Sequence, residues 1–234
     1  MKNKAGKRGR RASTLALVLV FLLGLCLVLY PTVSDFLNGL NQSRAIAGYE
    51  KAVGSMDRSR YDEMLRAARA YNERLRQNPA RFTPTEQDLE EYNSLLDVSG
   101  SGVMAYVEIP KLNTKLPVYH GTDDTVLQIA VGHIVGSSLP VGGPGTHAVL
   151  SGHRGLPSAK LFTDLDKMKL GDTFQIHVLG DTLSYEVDQI LTVLPEEMDA
   201  LAIEDGEDMC TLVTCTPYGV NTHRLLVRGR RVQQ

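Results

Sequence analysis

Residues 12–30 form a run of nineteen without a charged side chain, mostly leucine and valine. A stretch of that composition has no stable place on the surface of a small water-soluble fold. As a helix rising ~1.5 Å per residue it spans about 28 Å, close to the ~30 Å hydrocarbon core of a bilayer. The competing reading is a cleaved signal peptide, whose apolar core is usually ~7–15 residues and ends at a small-x-small site. Here the run passes into Pro31 without one, and the nearest such pattern, Ala45-x-Ala47, lies well downstream. The sequence therefore predicts a retained transmembrane signal anchor over residues 12–31.

Charge sets the orientation. Of 25 basic side chains, six (Lys2, Lys4, Lys7, Arg8, Arg10 and Arg11) precede the run; the other 19 stand against 27 acidic ones, leaving the rest of the chain near −8. A positive flank of this kind stays cytoplasmic, which predicts a single-pass protein of the cell membrane with its body extracellular. An acidic body also excludes nucleic acid as a partner, because phosphate neutralisation needs a basic face. No second run of spanning length occurs in the sequence.

Beyond the anchor the texture divides. Residues 32–85 read as a helical stalk: Tyr61, Met64, Leu65, Ala68, Tyr71, Asn72 and Leu75 recur at three and four, Asp57 or Ser59 can cap them, and Asn78-Pro79 stops them. An earlier helix is expected around residues 44–53, broken at Gly54-Ser55. Residues 86–103 are polar, end in Ser-Gly-Ser-Gly, and read as a flexible linker. Residues 104–234 form the body. Short β-runs are expected at 103–109, 116–119, 147–151, 173–179, 183–193, 209–215 and 225–232, with a short helix near 159–168. Seven or eight such strands, separated by glycine-rich turns, point to a sandwich or a small closed barrel.

Candidate chemistry gathers at two strand ends. In TLVTCTPYGVNTHR a β-branched strand delivers Cys215 to a turn-rich loop, and Arg224 returns nine residues later. In HAVLSGHRGLP another apolar strand ends on His153. A thiol attacks as its thiolate, so Cys215 needs an imidazole or a cation beside it, and a guanidinium can stabilise the oxygen that turns negative when a carbonyl is attacked. Arg224 also has a plain reading as a cross-strand ion-pair partner. His120, His133, His147, His177 and His223 read as surface or hydrogen-bonded core residues. No spacing of ligands suggests zinc or calcium, so no metal or cofactor is expected. Cys26 lies in the span. Cys210 and Cys215 are an odd number apart on one strand and face opposite sides, so they cannot bridge each other.

The segments SGHRGLPSAKLFTDLDKMKLGD and TLVTCTPYGVNTHRLLVRGRR, with EIPKLNTKLPVYHGT and GHIVGSSLPVGG, resemble the sortase family, particularly its class C, pilus-assembling branch. The resemblance implies a mainly β fold, an eight-stranded closed sortase barrel with short helices, behind the helical stalk and one transmembrane helix. It implies Cys215 as nucleophile, His153 as acid/base and Arg224 as carbonyl or oxyanion stabiliser. It further implies a transpeptidase that cleaves a Leu-Pro-x-Thr-Gly-like sorting signal between Thr and Gly through a thioester. The partners it implies are sorting-signal-bearing surface proteins or pilins, with a pilin lysine as the accepting amine. Attachment of single proteins to a peptidoglycan amine is the alternative within that chemistry, and a non-catalytic anchored binding module is the alternative outside it. Class C members usually carry a lid with an Asp-Pro-aromatic signature. The matching place here is read as Leu96-Asp97-Val98, where Asp97 supplies the acid of a regulatory lid and the proline and ring are missing.

Overall fold

The computed structural model describes residues 4–232, with side chains from residue 14 onward. Residues 1–3 of the basic tail, the side chains of its remainder, and the last two residues lie outside the described residues.

One helix, α1 (Lys4–Gly54), runs without a break through Pro31 and the expected anchor–stalk boundary, ending at the glycine the sequence marked. Its stretch from Thr14 is long and apolar enough to cross a membrane. Further along, α1 turns Ile46 and Tyr49 inward. The Tyr49 hydroxyl donates to the Met104 carbonyl at 3.1 Å and accepts the Leu179 N–H at 2.8 Å, seating the helix on the body. Asp57 caps α2 (Arg58–Arg76) by accepting the Arg60 N–H, as expected. Asn72 of α2 exchanges two hydrogen bonds with the Leu139 backbone, at 3.0 and 2.7 Å.

The expected flexible linker is corrected. Residues Glu86–Ser94 form a third helix, α3, because Thr85 and Asp88 build a capping box and Tyr92 is buried. The Tyr92 hydroxyl meets His133 Nδ1 at 2.9 Å and accepts the Gly121 N–H at 3.0 Å. A polar stretch with one deeply anchored ring is thus ordered by its packing.

Eight strands follow: β1 (Val103–Ile109), β2 (Thr114–His120), β3 (Val131–His133), β4 (Thr146–Ser151), β5 (Thr173–Val178), β6 (Asp181–Val193), β7 (Asp208–Thr216) and β8 (His223–Val232). They close into a barrel in the order β1-β2-β3-β4-β7-β8-β6-β5. The pairs β2/β3 and β4/β7 are parallel and the rest antiparallel. Closure leaves no open sheet edge. Ile109, Leu150, Phe162, Phe174, Ile176, Leu212 and Val227 are fully buried in the main core. The structure adds β3, whose three residues are too few to show a period. It also replaces the helix expected near 159–168 by turns and a single 3-10 turn at Leu165–Lys167. Leu161 sits there at φ 37°, outside helical space.

Candidate active site

Three strands bring the sequence-predicted residues to one rim. In the parallel β4/β7 pair Ser151 stands opposite Val213. Beyond the end of β4 the pairing continues: the Gly152 N–H donates to the Val213 carbonyl at 3.0 Å, and the Thr214 hydroxyl donates to the Gly152 carbonyl at 2.7 Å. One residue further in each chain, His153 arrives at the level of Cys215. In the antiparallel β7/β8 pair Arg224 is directly opposite Cys215, a position that sets Cα atoms ~4.5–5.5 Å apart. All three side chains are half-buried.

Strand alternation decides which way they point. Val149 and Ser151 on β4, Val213 and Cys215 on β7, and Leu226 and Arg224 on β8 share the outer face of the barrel. Their neighbours in sequence, Leu150, Leu212 and Leu225, belong to the main core inside. Val149, Val213 and Leu226 join Leu201 in a separate apolar cluster, bordered by Ile134, Leu191, Val193 and Ala200. The rim thus opens onto an apolar groove, one side-chain step of about 6.6 Å along β7 from the thiol. Cys210, on the opposite parity, is fully buried, and burial raises its thiol pKa well above the ordinary value. Cys215 is the half-buried thiol of the pair.

Arg224 donates from Nη1 to the carbonyls of Asn221 and His223, at 3.2 and 3.1 Å. Among the described residues no carboxylate pairs with it, in contrast to Arg228 and Arg230, which grip Asp188 and Glu204. The ion-pair reading of arginine on this strand therefore holds for those two and not for Arg224. The remaining guanidinium donors of Arg224 are the groups available to a carbonyl oxygen.

The segment between β6 and β7 walls the groove, and a buried histidine fixes it. His147 Nδ1 lies 2.8 Å from the Ala202 carbonyl and Nε2 lies 2.7 Å from the Thr211 hydroxyl. A carbonyl only accepts, so Nδ1 carries the proton and Nε2 accepts from threonine. Burial pushes the pKa of His147 down to about 4, which keeps this neutral form.

A segment other than the one around Asp97 packs on this apolar cluster. The carboxylate of Asp97 accepts the Gly102 N–H at 3.1 Å, closing the turn before β1, and among the described residues it forms no ion pair with Arg224. Residues 77–85, between α2 and α3, lie across the groove instead. Phe82 packs on the Val149–Leu201–Val213–Leu226 cluster, and the Arg81 guanidinium stacks over its ring at 4.4 Å. Arg81 donates to the Leu201 carbonyl at 2.9 Å and to the Gly136 carbonyl at 3.3 Å, joining the β6–β7 segment to the turn after β3. Gly136 is needed at this crossing: a Cβ there would lie 2.4 Å from the Arg81 carbonyl oxygen. The signal available in the sequence was an aromatic isolated between Pro79 and Pro84 in a short interhelical loop. Among the described residues no cluster of three or more His, Cys, Asp or Glu gathers as a metal ion would require.

The sortase-domain family description matches residues 107–232. Sortase D of Bacillus subtilis is 29% identical over 135 residues, covering 56% of this chain and 64% of that protein, so the chain spans a little under two thirds of its length. Among solved structures, sortase C1 of Streptococcus agalactiae is similar with a TM-score of 0.78 and 51% identity, covering 82% of this chain and 99% of that one. Sortase C of Streptococcus pneumoniae matches with a TM-score of 0.72 and 44% identity, covering 82% and 97%.

Proposed function

The chain belongs to the sortase family of cysteine transpeptidases, and from that premise we propose that it cleaves a Leu-Pro-x-Thr-Gly-like sorting signal and passes the new carboxyl end to a pilin lysine. The observation that carries the reading is the shared face of His153, Cys215 and Arg224 at one rim above an apolar groove.

The Cys215 thiolate attacks the Thr carbonyl carbon, and a C–S bond forms as the carbonyl oxygen takes negative charge. Arg224 donates hydrogen bonds to that oxygen, where each such donor is worth ~10²–10³ in rate. The intermediate collapses, the C–N bond breaks, and His153 delivers its proton to the departing Gly amine. The thioester keeps enough acyl reactivity for an amine to take it without a nucleotide cofactor. The incoming lysine amine gives its proton to His153, attacks the thioester carbon, and releases Cys215. The groove floor of Val149, Val213 and Leu226 suits the apolar leucine of such a signal. Phe82 lies on that floor, so the 77–85 segment must lift before the signal enters.

A pilin acceptor is favoured because Streptococcus pneumoniae sortase C, similar over most of this chain, is described for its pilin substrate specificity. The basic flank and the apolar stretch of α1 support a membrane anchor with the body outside. Incubation with a signal peptide tests the reading by mass spectrometry. An acyl adduct is expected on the wild type and none on Cys215→Ala; no adduct on either would favour a binding module. Adding a pilin lysine or a peptidoglycan amine then identifies the acceptor, and release by the peptidoglycan amine alone would overturn the pilin assignment.

A further inference from the structure

Helix α1 serves as a ruler, because it touches the barrel at several levels. The Asp35 carboxylate accepts the Lys160 N–H at 2.7 Å, and Asn38 Nδ2 donates to the Ser158 carbonyl at 2.7 Å. Gln42 reaches the Ile129 carbonyl, also at 2.7 Å, and Tyr49 meets Leu179. Val53 lies against Gly180. At ~1.5 Å per residue, Asp35 stands about 8 Å and Val53 about 35 Å beyond residue 30, where the uncharged run ends. Among these contacts the turn at residues 155–160 is nearest that end, and the β5–β6 hairpin is farthest from it. His153 lies just before this nearest turn.

The helix remains apolar at that level. Val33, Phe36 and Leu37 are 51%, 65% and 54% exposed, while Asp35 and Asn38 turn toward the barrel. Open apolar side chains continuing directly from a span fit a lipid boundary, whose interfacial layer adds ~5–7 Å on each side of the hydrocarbon. The loop between β7 and β8 packs on the same turn. The Tyr218 ring packs over Gly155, so closely that a Cβ there would lie 2.8 Å from it. Tyr218 and Val220 are 60% and 64% exposed, and Pro217 is exposed beside them. A tyrosine ring with a polar tip is suited to the headgroup layer.

We propose that residues 217–221 rest on the headgroup boundary of the membrane that α1 spans, holding Cys215 at the lipid surface. This rests on α1 being a membrane anchor. The occupant is lipid because Tyr218 and Val220 extend the exposed apolar surface of the anchor at one height, beside the reactive rim.

The chain contains no tryptophan, so single substitutions report without background. The full-length chain carrying Y218W, V220W, F36W or K51W would be placed in phosphatidylcholine nanodiscs with and without a headgroup nitroxide lipid. Y218W and V220W are expected to lose about half their emission, as F36W does at the helix exit, while K51W stays bright. Emission from both loop positions matching K51W, with F36W quenched, would overturn the proposal alone. An unquenched F36W would overturn the anchor and the proposal together. V220W repeats the measurement should Y218W disturb the packing on Gly155.

Discussion

Arg154 and Thr216 are joined behind the reactive rim: the guanidinium donates from Nη1 to the threonine hydroxyl at 3.2 Å. Each follows a proposed catalytic residue by one position, so the bond ties the His153 and Cys215 backbones on the side away from the groove. Nη2 donates to Asp166 at 2.5 Å, the side chain is only 9% exposed, and the buried Nε has no hydrogen-bond partner among the described residues. Arg154→Ala is expected to lower kcat about 10²-fold with a smaller change in KM, as small displacements of reacting groups do. Arg154→Lys should recover part of the loss. A folded Arg154→Ala with unchanged kcat would rule out this positioning role.

Arg224 meets backbone carbonyls rather than a carboxylate, which leaves its charge for substrate. Arg224→Gln should reduce kcat/KM for signal cleavage by ~10²–10³ while altering thermal stability little. The check is single-turnover acylation. Equal rates in the two proteins would remove the guanidinium from the mechanism.

Phe82 covers the groove, and Asp97 is occupied in a turn. Loss of a half-buried ring weakens closure by about 1–2 kcal/mol, which corresponds to a ~5–30-fold larger open population. Phe82→Ala should therefore speed alkylation of Cys215 by about that factor, and Asp97→Ala should leave it unchanged. Faster alkylation of the aspartate variant alone would return the gate to the 95–102 segment.

Two buried imidazoles make the fold acid-labile. Burial lowers the pKa of both His133 and His147 to about 4, whereas an unfolded histidine titrates near ~6.5. Between these values the unfolded chain binds more protons, so stability is complete above about pH 6.5 and falls as pH drops toward about 4. Each histidine contributes on the order of 3 kcal/mol across that window. Asp208, whose pKa burial raises, works in the opposite direction near the lower end and offsets part of the loss. The melting temperature should fall between pH 6.5 and 4, whereas the stability held by carboxylates below their usual range, such as Asp188, is lost only at still lower pH. A flat profile over the window would show that these imidazoles titrate normally.

Strand alternation and strand ends singled out Cys215, His153 and Arg224 as candidates and the sortase resemblance supplied their roles; the structure brings all three to one rim. Seven of the eight strands were legible and left a sandwich or a closed barrel open, a choice the sortase resemblance made; Val131–His133 escaped because three residues carry no period. What the sequence hid was long-range. Arg81 finds the Leu201 carbonyl across a separation of 120 residues, and nothing local marks that destination. Asp97 drew attention through its residue type, although its carboxylate serves the backbone five residues on. Thr85 and Asp88 did carry a local helix signal, the capping box, masked by the polarity around it.

The parity of β4, β7 and β8 also constrains how a chain like this can vary. Deleting one residue between the packed part of any of these strands and its reactive side chain would swing that group from the open face toward the interior. Insertions between the strands carry no such penalty. New specificities can thus arise through longer or shorter connections while the strand lengths themselves stay fixed.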